Sequence, residues 1–81
     1  MALTIDTLAV IKALDEATGR SISYSEIRHI FQHHGGNRRA LAETLEDVVA
    51  RFPDCVEWDM RVGHGRMLEV WVRVKAPIGP V

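Results

Sequence analysis

Val56-Glu57-Trp58-Asp59-Met60-Arg61-Val62 and Leu68-Glu69-Val70-Trp71-Val72-Arg73-Val74 are two runs in which every second residue is apolar, separated by Gly63-His64-Gly65-Arg66-Met67. Alternation at a period of two marks strands with one face turned to a core. Two such runs around a glycine-containing link predict a two-stranded hairpin with one apolar face. Its register follows from charge. With a three-residue loop Met60 faces Leu68, but Asp59 then faces Glu69, and like charges directly opposite each other cost a few tenths of a kcal/mol. With a five-residue loop, Gly63 to Met67, Met60 faces Val70, Trp58 faces Val72, and the outer face gains Arg61 with Glu69 and Glu57 with Arg73. The second register is preferred. It makes His64, Arg66 and Met67 the tip, with glycines on both sides of the histidine supplying backbone freedom.

Three helical patterns precede the hairpin. The first is expected over Ile5 to Thr18, capped by Thr4, with Asp6 favouring the positive end of the helix dipole. At about 100° per residue, Thr7, Leu8, Val10, Ile11 and Leu14 share a side, while Ala9, Lys12, Ala13 and Glu16 face away. Gly19 suits a left-handed cap, and Arg20-Ser21-Ile22 leaves room for a short extended piece. Ser23 with Glu26 forms a capping box flanked by Ile22 and Ile27 as a hydrophobic staple, which starts the second helix. Ile27, Ile30, Phe31 and His34 form one side of that helix, and Gly35-Gly36 ends it. Asn37 can cap a third helix with Leu41, Leu45, Val48, Val49 and Phe52 on its apolar face, ended by Pro53.

Eighty-one residues leave room for one domain, so nearly every apolar run must serve the same core. A composition of 47% hydrophobic and 26% charged residues is an ordinary globular mixture, without the low hydrophobicity of disorder or a membrane-length apolar span. Met1-Ala2-Leu3-Thr4 runs into a pattern containing Asp6, Asp15 and Glu16 and lacks the basic start and apolar run of a secretion signal, so a cytoplasmic location is expected. Cys55 is the one cysteine, which excludes an internal disulfide and a cysteine-rich zinc site. The net charge of −1 offers no general attraction for nucleic acid, so any DNA affinity must come from cations gathered on one side.

The order helix, helix, helix, hairpin over roughly residues 4 to 75 resembles the winged helix-turn-helix superfamily, an α+β architecture in which helices two and three form the helix-turn-helix and the hairpin is the wing. Residues 1–75 then form the domain and 76–81 a flexible tail. The resemblance implies a small DNA-binding regulator in which the third helix enters the major groove, the second crosses the backbone and the wing touches the minor groove or phosphates. Carried onto this chain, it gives groove or phosphate contacts to Arg38 and Arg39, phosphate contacts to Ser25 and Arg28, and wing contacts to Arg61, His64 and Arg66. Double-stranded DNA would be the partner, and a homodimer is expected because one small module with few cations binds weakly. Arg38 and Arg39 in the first turn of helix three oppose the helix dipole, which an anion held there would explain.

Other residues point to an interaction module instead. Glu43, Glu46 and Asp47 occupy the outward side of helix three, where they would repel phosphates along most of a recognition helix. Trp71 falls on the outer face of the last strand beside Cys55, Glu57 and Asp59, a place where the core does not require a large aromatic and where a protein partner or dimer would use one. A protein interface through Glu43, Glu46 and Asp47 or through Trp71 is therefore the alternative function. His29 and His33 have metal-ligand spacing but lack further ligands at matching distance, so no metal is expected. His34 reads as a semi-buried core residue and Cys55 as a small hydrophobe opening a strand. The chain has no phosphate-binding glycine loop, activated serine motif or acidic pair, so neither an enzyme nor a cofactor is expected.

Overall fold

The computed structural model describes residues 4–79. Its elements are α1 (Ile5–Asp15), β1 (Ser21–Ser23), α2 (Tyr24–His33), a 3₁₀ turn (Arg38–Ala40), α3 (Leu41–Arg51), β2 (Val56–Val62), a second 3₁₀ turn (His64–Arg66) and β3 (Leu68–Val74). The architecture is α+β: three helices and one three-stranded antiparallel sheet, ordered β1-β3-β2.

The Thr4 side chain caps α1 by accepting from the Thr7 amide at 3.1 Å. The helix ends at Asp15 rather than Thr18, because the Ala17 and Thr18 amides shift to i−3 carbonyls and tighten the last turn. Gly19 then takes φ +90° and donates to the Val74 carbonyl at 2.8 Å, which brings the chain to the sheet. Ala9 and Ala13, expected on the wet side, are buried. Both α2 and α3 pack on α1, and small alanine side chains let two neighbours approach it on different sides. Lys12 and Glu16 stay exposed.

At the start of α2 the Ser23 hydroxyl accepts from the Glu26 amide at 3.2 Å, but the Glu26 carboxylate turns to Arg20 at 2.8 Å instead of closing the capping box. Ile22 and Ile27 are both fully buried, as a staple requires. After α2, Gly35 adopts φ +86°. Gly36 lies against the ring of Phe31, where any Cβ would collide with the aromatic carbons. The Asn37 side chain accepts from the Arg39 amide at 3.0 Å and so caps the 3₁₀ turn, not α3 itself. From there α3 presents Leu41, Leu45, Val48 and Val49 to the core.

The hairpin has the register that its charges favour: Met60 pairs with Val70, Trp58 with Val72, Arg61 with Glu69 and Glu57 with Arg73. The Gly63 amide closes the five-residue loop on the Met67 carbonyl at 2.8 Å. The expected ribbon is one strand short of the sheet observed. β1 pairs Ser21 with Arg73 and Ser23 with Trp71, so β3 is central and both its edges are satisfied.

Of the expected tail 76–81, the described residues 76–79 turn back to α1. The Ile78 and Gly79 amides donate to the two oxygens of Asp15 at 2.8 and 3.0 Å, and Ile78 packs on the core. Pro80 and Val81 lie outside the described residues. Among the described residues no helix is long and apolar enough to cross a membrane.

Candidate functional site

The hairpin is longer than the body beneath it. Seven-residue strands extend about 23 Å. Near the base of the ladder Val56, Val72 and Val74 are buried under the helices, as the alternation predicts. Further out, on the same face, the cover ends: Trp58 is 42% exposed, Met60 50%, Val62 69% and Leu68 69%, with Met67 at the tip 71% exposed. The apolar face expected to be wholly inward is therefore half core and half open surface. At its foot is a shallow groove of about 510 Å³ lined by Tyr24 from α2, Ala42, Leu45 and Glu46 from α3, and Trp58, Met60 and Val70 from the hairpin. Only Glu46 brings charge to it.

The opposite face of the sheet is closed upon itself. Arg61 donates to Asp59 at 2.9 Å and stacks its guanidinium 4.0 Å above the Trp71 ring. The Trp71 indole donates to Glu69 at 3.2 Å, and the Ser21 hydroxyl to Asp59 at 2.8 Å. The Arg61 hydrogen bond, then the Ser21 hydroxyl, hold the Asp59 carboxyl below its ordinary range. Trp71 is half-buried beneath this network, and Arg61, expected at a wing contact, is engaged in it.

The remaining candidate cations fall in three places. His64 and Arg66 are exposed in the turn at the hairpin tip, where Gly65 and Arg66 take φ +71° and +63°. Arg38 and Arg39 are exposed in the 3₁₀ turn before α3 rather than in its first turn. Three of the amides there are already used: Arg39 donates to the Asn37 side chain, Ala40 to the Asn37 carbonyl, and Asn37 itself to the Asp6 carboxylate at 2.7 Å. A carboxylate of the chain thus occupies the start of the turn, where the sequence suggested an external anion. On α2, Ser25 is exposed and Arg28 half-buried. Of the acids on α3, Glu43 and Glu46 are exposed, whereas Asp47 takes both its oxygens to Arg51 Nε at 3.0 and 3.1 Å.

His34 is half-buried, as expected, and its Nε2 lies 3.3 Å from the Glu16 carboxylate. Cys55 is a partly buried free thiol packed against the core. Among the described residues no group of three or more His, Cys, Asp or Glu side chains is placed to hold a metal ion. Comparison of the chain with models of protein families, with curated proteins and with solved structures finds no match.

Sequence reasoning missed Trp58, Met60, Val62 and Leu68 as surface residues. The signal available was strand length: a short α3 of eleven residues, about 16 Å, cannot cover two strands of about 23 Å.

Proposed function

We propose that this chain is a non-enzymatic binding module of winged-helix type that recognises protein through the open apolar face of its hairpin. The single observation carrying this reading is the row Trp58, Met60, Val62 and Leu68, exposed on one face and continuous with the groove at its foot. From these exposures and full side-chain areas of roughly 150–250 Å², the apolar area left in water is on the order of 500 Å². That is near the upper end of what monomeric proteins leave uncovered, and such patches mark interaction sites. Tryptophan and methionine are also residues enriched at the centres of protein interfaces. The helix order and the hairpin support the winged-helix assignment, with the hairpin as the wing.

A photoreactive side chain in place of Val62, used in the cells that make the protein, should cross-link to a polypeptide, whereas the same group at exposed Gln32 on α2 should not. Equal labelling from both positions, or labelling of nucleic acid from Val62, would overturn the reading.

A DNA-binding regulator is the second reading. It is favoured by one observation: Arg28, Arg38, Arg39 and Arg66 take no part in the ion pairs among the described residues. Against it stand Glu43 and Glu46 on the exposed side of α3. Low-salt retardation of a mixed duplex pool that falls steeply with salt and vanishes in Arg38→Ala/Arg39→Ala would establish this reading in place of the first. Unchanged mobility would remove it.

A further inference from the structure

We infer that the occupant of the open hairpin face is a second copy of the same chain, bound antiparallel so that each hairpin tip lies in the other's groove. This rests on the reading of that face as a protein-docking surface. Three features of the face select this occupant.

The first is the distribution of charge along it. Trp58, Met60, Val62, Leu68 and Val70 form an uninterrupted apolar stripe on paired strands. Its two ends differ in sign: Glu46 borders the groove at the foot, while His64 and Arg66 stand exposed at the tip. Neither Glu46 nor Arg66 takes part in the ion pairs among the described residues. A stripe with an acidic end and a basic end is complementary to its own copy turned end for end. A two-fold axis near Met60 and Val70 sets Arg66 of each copy against Glu46 of the other and repeats every contact twice. A parallel arrangement would instead put like ends together.

The second feature is area. About 500 Å² of exposed apolar surface, together with the groove walls and the polar rim, brings each copy close to the roughly 800 Å² per partner of a standard interface. A partner seated in the groove alone would leave Val62, Met67 and Leu68 in water.

The third is shape. The stripe from Trp58 to Val62 spans about 14 Å, and two sheets packed face to face stand about 10 Å apart, the separation at which side chains from both interdigitate. Leu68 and Met67, projecting from the tip, supply apolar groups to fill the groove lined by Tyr24, Leu45 and Trp58.

Sedimentation equilibrium of the full chain tests the inference. The wild-type chain should form a reversible dimer. Leu68→Glu, and independently Val62→Lys, should be monomeric with unchanged far-ultraviolet circular dichroism, because both side chains are largely exposed in the single chain. Glu46→Arg and Arg66→Glu should each weaken dimerisation about tenfold, since symmetry installs each like-charge contact twice. Combined, they should return the dissociation constant to within about threefold of wild type, the coupling expected of residues in direct contact. A dimer that survives Leu68→Glu, or reversals whose effects add instead of cancelling, would overturn the inference. A monomeric wild-type chain whose Val62 position still cross-links to a different polypeptide would overturn the second copy as occupant and leave the docking face standing. A monomer with no Val62 cross-link removes both.

Discussion

Val72 and Leu68 lie four residues apart on the same face of β3, one wholly buried and the other 69% exposed. Truncating each to alanine separates the core half of the hairpin from its open half. Val72→Ala removes two methyl groups from a site with no contact with water; at about 0.8 kcal/mol per carbon plus a term for the cavity, the loss is about 2–3 kcal/mol. Leu68→Ala removes a larger group, yet only about a third of it is out of water, so burial accounts for about 0.5–1 kcal/mol. In a domain of this length each kcal/mol moves the thermal midpoint by about 4–8 °C, which makes the two variants distinguishable in one scan. Urea unfolding followed by tryptophan fluorescence, at a concentration low enough to dissociate any dimer, gives the two free energies directly. Raising the concentration should then enlarge the penalty of Leu68→Ala and leave that of Val72→Ala unchanged, because association stabilises only the folded form that can associate. Equal penalties in dilute solution would refute the division of the hairpin into covered and open halves.

Gly36→Ala should cost about 1–3 kcal/mol as the added methyl displaces the buried Phe31 ring, and a thermal midpoint equal to wild type would contradict the close approach. Asp15→Ala should release residues 78 and 79, accelerating exchange of their amide hydrogens and lowering stability by about 1–3 kcal/mol; unchanged exchange would mean that the carboxylate does not hold this segment. Asp59 has a folded pKa below its ordinary value of 3.8, so its pairing stabilises the fold above that value and the contribution is lost as pH falls through the lower folded one. The stability difference between wild type and Asp59→Asn should therefore narrow on acidification below about 3.8, and a difference constant through that range would exclude the linkage.

The hairpin register was legible because one of its alternatives opposes Asp59 to Glu69, a conflict written in residue types alone. The starts of α1 and α2 were legible for a similar reason: Thr4 and Ser23 act on amides three residues further along. What sequence does not carry is what lies above a surface. Val72 and Leu68 obey the same alternation, and only the reach of α3 decides which of them is covered. Ala9 and Ala13 look solvent-facing on a single helix and become core because two other helices claim different sides of α1. Asp15 finds its partners more than sixty residues away, at Ile78 and Gly79, and no local pattern connects them. The candidate cations were recognisable by residue type, but only the fold shows that Arg61 is spent on Asp59 and Trp71.

The central place of β3 in the sheet bears on how the molecule is made. Of the three strands it leaves the ribosome last, and both β1 and β2 pair with it and not with each other. A nascent chain that has emerged through residue 62 holds Ile22 and Val56 on strands with no partner, exposing two unpaired edges and an apolar face at once. The sheet closes only when Trp71 reaches Ser23 and Asp59 together, a pairing across some fifty residues of chain on one side and a dozen on the other. Long-range closure of this kind is slow relative to helix formation. Emergence of β3, rather than of the helices, is thus the event that commits this sheet to its fold, and the interval before it is when a chaperone has the most to hold.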